Sequence, residues 1–105
     1  MRILFDQGTP APLRHGLTGH YVETAYEKGW SHLSNGDLLT AAEGALFDLF
    51  VTTDQNLTCQ QNLGGRRLAV LVLPTTRWPV IAQHLAEVAA AINSIHAGEF
   101  RELSW

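Results

Sequence analysis

An open α/β domain is what this sequence predicts: a mostly parallel sheet of four or five strands with helices on both faces, in three layers. Three observations carry the expectation. Short apolar runs alternate with helix-patterned segments along the whole chain, as in β-α-β units joined by right-handed crossovers. Residues 68–73 (LAVLVL) are continuously apolar, as a strand buried on both faces of a parallel sheet must be. Two further apolar runs, residues 2–5 and 47–51, each lead into a polar segment that holds an aspartate, Asp6 and Asp54. The carboxyl ends of strands are where open α/β sheets place their ligands.

Composition narrows the class. At 105 residues the chain is expected to form one domain, and 46% apolar with 16% charged residues is ordinary for a globular fold. The net charge of −3 offers no general attraction for nucleic acid, so a polyanion would need a local basic patch. Cys59 is the single cysteine, which excludes an intrachain disulfide and zinc-finger spacing. With no secretory segment or bilayer-length apolar run to read, a reducing cytoplasmic location and no membrane partner are expected.

Residues 2–5 read as the first strand. Gly8, Thr9 and Pro10 then open a short helix carrying Leu13 and Leu17, with Thr9 as its cap. Residues 20–24 read as a second strand, and residues 25–28 as one helical turn before Gly29. Ser34, with Asp37 three residues on, forms an acidic capping box for a helix whose buried stripe is Leu38, Leu39, Ala42 and Leu46. The third strand, residues 47–51, is followed by a helix over about residues 55–62 that Gly64 and Gly65 stop. After the strand at residues 68–73, Pro79 opens the longest helix. Its apolar stripe is Ile81, Leu85, Val88, Ile92 and Ile95, and Gly98 is its expected stop. Residues 100–103 are expected to form a last short strand.

Asp6 and Asp54 converge if their strands are neighbours. Converging carboxylates repel one another unless a cation lies between them, and hard oxygen ligands suit Mg2+ or Mn2+. Asp37, at the start of a helix, is the natural third acid. The plainer alternative is that each aspartate caps backbone N–H groups, which for Asp37 the pairing with Ser34 explains alone. Gln7, Thr53 and Asn56 are polar neighbours able to orient water or phosphate. Arg66 and Arg67, with Arg14 and Arg77, are the candidate phosphate contacts, against the alternative of solvated loop charges. Trp30 and Trp78 either stack a base or pack the rim of the core.

Other chemistries fall away. The five histidines do not pair at metal-ligand spacing, and Cys59 has no base partner in sequence. No nucleophile elbow or Walker loop occurs. Residues 5–9 echo a haloacid-dehalogenase motif, but its second acid is absent and Lys28 is the only lysine.

Taken together, residues 1–7 (MRILFDQ), the helix opening at residues 34–37 (SNGD) and residues 51–56 (VTTDQN) resemble the short bacterial PIN-like domains. Those domains are grouped with PIN-domain ribonucleases, many of them toxins of toxin–antitoxin pairs, and the resemblance runs from Met1 through the long helix. It implies a metal-dependent endoribonuclease in which Asp6, Asp37 and Asp54 hold Mg2+ or Mn2+ that activates water against a phosphodiester. Gln7, Thr53 and Asn56 would orient water or phosphate, and Arg66 and Arg67 would anchor the RNA backbone. An antitoxin partner and a homodimer are further implications. The sequence departs from the pattern after Asp54, where the additional acid of many active relatives is replaced by Gln55, Asn56, Gln60 and Gln61. The competing expectation is therefore a catalytically inactive PIN-like scaffold serving as a protein-interaction or regulatory module. A small-molecule-binding α/β module is a third, resting on fold analogy.

Overall fold

Strands β1 (Arg2–Phe5), β2 (Tyr21–Thr24), β3 (Leu49–Thr52), β4 (Ala69–Val72) and β5 (Phe100–Glu102) form one sheet in the order β2-β1-β3-β4-β5. These are seen in a computed structural model that describes residues 1–57 and 66–105. Every neighbouring pair is parallel, so the sheet is wholly rather than mostly parallel.

The register sorts side chains onto two faces. Ile3 lies opposite Leu49 and Leu49 opposite Ala69; Phe5, Val51 and Leu71 make the next matching row. These residues pack with Leu13 from the 3-10 helix Ala11–Gly16, with Leu17 at its C-cap, and with Ile81, Val88, Ala91 and Ile92. On the opposite face Leu4, Phe50, Val70 and Val72 pack with Leu38, Leu39 and Ala42 of helix α1 (Asn35–Gly44), and with Phe47 and Leu57. Phe5, Phe47 and Phe50 are fully buried. Each contributes about 1.5–3 kcal/mol by leaving water. The continuous apolar character of residues 68–73 follows from this double cover.

The crossovers are not all of one hand. The steps β1 to β2 and β4 to β5 run in opposite directions along the sheet, yet both connections lie over the Ile3–Phe5 face. Two such connections have opposite handedness, so the expectation of uniformly right-handed units is corrected. Cover explains the exception. The short 3-10 helix alone would leave Leu49, Val51, Ala69 and Leu71 exposed on that face. The helical segment Trp78–Ser94 closes it.

Locally, most elements follow their sequence signals. Ser34 caps α1, its hydroxyl accepting from the Asp37 N–H at 3.2 Å. Leu46, expected in the buried stripe, is instead 66% exposed at φ 66° in the left-handed region. It is the residue that turns the chain out of α1: its N–H reaches the Glu43 carbonyl, and the Phe47 N–H reaches the Ala42 carbonyl. A left-handed residue closing a helix with a hydrophobic residue after it is a Schellman-type stop, a position where glycine is the usual occupant. The expected single long helix is two, α2 (Trp78–Ala82) and α3 (Leu85–Ser94), broken at Gln83–His84. Its stripe survives the break, with Ile81, Val88 and Ile92 buried and Leu85 partly so. Gly98 does not stop the helix, which ends at Ser94. At φ 76° it turns the chain into β5, where an added Cβ would lie 2.8 Å from the Arg66 carbonyl oxygen. Gln55 and Asn56 form a turn; the rest of the helix expected over residues 55–62, and Cys59 with it, lies outside the described residues. No helix among the described residues is long and apolar enough to cross a membrane.

Candidate functional site

The strand order reverses direction at β1: the chain steps from β1 to β2 on one side, then passes to β3 on the other. The crevice at such a switch point lies between the carboxyl ends of the two strands flanking the reversal, here β1 and β3. Asp6 follows β1, and Thr52, Thr53 and Asp54 end or follow β3. Because β1 and β3 are neighbours, the condition for Asp6 and Asp54 to converge is met.

Their carboxylates are held in different ways. Asp6 is 5% exposed, and its Oδ1 accepts from the Thr9 N–H at 3.0 Å and the Thr9 hydroxyl at 2.6 Å. Its Oδ2 accepts from the Thr52 hydroxyl at 2.5 Å. Thr9, expected to cap the helix after it, therefore closes the loop back onto Asp6, with its hydroxyl also 3.1 Å from the Val51 carbonyl. Thr52 is fully buried, and its oxygen in turn accepts from the Asp54 N–H at 3.0 Å. Asp54 is half-buried; Oδ1 accepts from the Asn56 N–H at 2.9 Å, and Oδ2 from the Asn35 amide at 2.9 Å. One hydroxyl thus links the two aspartates, and both carboxylates accept hydrogen bonds that brace the ends of β1 and β3, with one acceptor position of Asp6 Oδ2 left over. This is the capping alternative in a form neither helix predicted, since the groups capped belong to turns.

The third acid makes no such bond with the described residues. Asp37 is exposed, and the residue of α1 that reaches Asp54 is Asn35. Among the described residues no three His, Cys, Asp or Glu side chains are gathered as a metal ion would require. The segment 58–65 contains no carboxylate in its sequence. The donor chemistry points the same way: an amide N–H and hydroxyls face the carboxylates where a cation would need further oxygen acceptors. As they are held here, Asp6 and Asp54 are a partial set for the expected Mg2+ or Mn2+ centre on Asp6, Asp37 and Asp54.

The other expected residues divide by location. Gln7 is exposed and donates from its amide to the Ser31 carbonyl at 2.8 Å. Thr53 is buried, its hydroxyl packed so closely over Gly8 that an added Cβ there would lie 2.5 Å away. Asn56 contributes its backbone N–H to Asp54. Arg66 and Arg67 lie at the opposite end of the sheet, just before β4. Arg67 pairs with Asp48 at 3.0 Å and donates to the Phe47 carbonyl, while Arg66 donates to the Thr40 hydroxyl. Neither stands over the aspartates. That was legible in advance, because residues preceding a parallel strand and residues following one lie at opposite ends of the sheet. Asn35, Thr9 and Thr52 were missed as site residues. Only the position of Thr52 directly after an inferred strand could have singled it out.

Beside Asp6 opens a cleft of about 610 Å3, bounded by the loops after β1, β2 and β4. Arg14 and Glu27 make a bidentate pair on its wall, at 3.1 and 3.0 Å. Hydrogen bonding from Arg14, and then from the Thr24 N–H region of the backbone, holds the Glu27 carboxyl below its usual range. Asp54 and Asp37 do not line this cleft. Compared with known proteins, the chain matches no family model, no curated protein and no solved structure.

Proposed function

We propose that the chain is a PIN-like domain acting as a non-hydrolytic interaction or regulatory module. The observation that carries this reading is the Asn35 amide donating to Asp54, in the place on α1 where a second carboxylate would have to stand. A neutral donor there turns Asp54 into a brace between α1 and the end of β3. Asp6, buried and saturated on Oδ1, braces β1 to β3 in the same manner. Both acids thereby serve the fold, and the loops they hold in position form the surface available to a partner.

The rival proposal is the Mg2+- or Mn2+-dependent endoribonuclease, with RNA as substrate and an antitoxin as partner. One observation favours it: Asp6 and Asp54 flank the switch point of the sheet, joined through Thr52.

Manganese titration followed by thermal unfolding, on wild type and Asp54→Asn together, separates the two. The module predicts no saturable rise in melting temperature in either protein, and no cleavage of single-stranded RNA. A cation bound with a dissociation constant of 1 mM would add about 1.4 kcal/mol at 10 mM by linkage, a shift of several degrees in a domain of this size. Such a rise in wild type alone, accompanied by cleavage, overturns the module reading in favour of the nuclease.

A further inference from the structure

The cleft beside Asp6 is not used by the reading above, and its lining has a definite chemistry. It sits over the carboxyl ends of β1, β2 and β4, and about 610 Å3 is ample for a small molecule. Two aromatic residues border it. Trp78 is half-buried against the core, whereas Tyr26 is 77% exposed and makes no ring contact among the described residues. Aromatic side chains on the rim of a cleft are stacking surfaces for a planar ring.

Charge decides what kind of ring. Arg14 is the only basic residue among those lining the cleft, and both arms of its guanidinium are taken by Glu27. With Asp6 and Glu27 against Arg14, the lining carries one net negative charge, and no cation is left over for a phosphate or carboxylate. Asp6 adds a direction. A carboxylate has four acceptor positions, and the Thr9 N–H, Thr9 hydroxyl and Thr52 hydroxyl fill three. The fourth asks for an N–H donor.

We propose that this cleft binds a planar heteroaromatic molecule of nucleoside size, neutral or cationic, whose amino group donates to Asp6 while its ring lies against Tyr26 and Trp78. The site is independent of any metal at the aspartates, so it is tested with chelator present.

The experiment is a titration of the full 15N-labelled chain in EDTA with adenosine, cytidine, purine riboside and adenosine monophosphate, followed by amide and indole shifts. Adenosine and cytidine are expected to give saturable shifts at Gln7, Gly8, Tyr26 and the Trp78 indole, with dissociation constants of about 1 mM or tighter. Purine riboside, which is adenosine without the amino group and has no ring N–H, and the monophosphate, which adds negative charge, are expected to bind more weakly. Tyr26→Ala, at an exposed position that the fold does not need, should weaken adenosine by about fivefold or more. Glu27→Gln should narrow the gap between adenosine and its monophosphate. Absence of saturable shifts up to about 10 mM overturns the site. Purine riboside binding as well as adenosine overturns the role of Asp6, and equal binding by Tyr26→Ala overturns the stacking.

Discussion

The two ends of the sheet treat their polar residues in opposite ways. At the carboxyl end Asp6, Thr9, Thr52 and Thr53 are all buried, and the hydrogen bonds of Asp6 run inward. At the amino end Arg67 and Asp48 pair at 3.0 Å with side chains 44% and 40% exposed, beside Arg2, Glu43 and Leu46. A buried donor that loses its acceptor cannot turn to water, whereas an exposed ion pair can. The carboxyl end should therefore be brittle and the amino end forgiving, although the amino end has the more visible charges.

Substitutions can break that contrast. The largest effect is expected from Asp6→Ala, which strands the buried Thr52 hydroxyl and leaves the Thr9 N–H and hydroxyl only their longer bonds to the Asp6 and Val51 backbone carbonyls. It should cost about 2–4 kcal/mol in urea unfolding. A loss below 1 kcal/mol would show that these groups find water. Gly8→Ala comes next, since its Cβ would lie 2.5 Å from the Thr53 hydroxyl and a β-branched side chain yields little. A loss of about 1–3 kcal/mol is expected, largely recovered in the Gly8→Ala, Thr53→Ala double variant; no recovery would place the strain in the loop backbone.

At the amino end the sign itself should change. Leu46→Gly relieves a left-handed leucine whose side chain is exposed, and should raise stability by about 0.5–1 kcal/mol. A fall in melting temperature would show that Leu46 is packed after all. Arg67→Ala should cost less than about 1 kcal/mol, with the loss shrinking further in high salt. A salt-independent loss would mean its bond to the Phe47 carbonyl matters more than the pair with Asp48.

The smallest effect is on pH dependence and touches both ends. Glu27, hydrogen-bonded first by Arg14, and Glu99, hydrogen-bonded first by Arg101, are both held below the ordinary value of 4.5. A carboxyl depressed on folding stabilises the folded state above that ordinary value, and the contribution is lost as pH falls through the depressed one. Melting temperature should therefore decline as pH drops below about 4.5, and Glu27→Gln should make the decline shallower. An unchanged slope would assign it to other carboxylates.

Short-range signals in the chain translated well. The strand at residues 2–5, the Ser34 cap and the doubly buried β4 were all readable, because each rests on residues within one turn or one strand of one another. What failed had a partner distant in sequence or a competing local use. Asp37 looked like the acid of α1, but its position as the third residue of the helix belongs to the cap, and Asn35 is the residue that turns toward Asp54. Leu46 fitted the helical stripe by spacing, yet the chain had to leave the helix there to send Phe47 into the core.

The sequence by itself determined the five strand segments and the helix behind Ser34, the α/β class, and that two aspartates follow strands that could be neighbours. It did so because apolar periodicity and capping are local. Only the tertiary structure decided the strand order, the contrary hand of the β4-to-β5 crossover, and the satisfaction of Asp6 by Thr9 and Thr52. These depend on which surfaces remain to be covered once the sheet has formed. Covering them is a property of the packed sheet, and no stretch of the chain carries it alone.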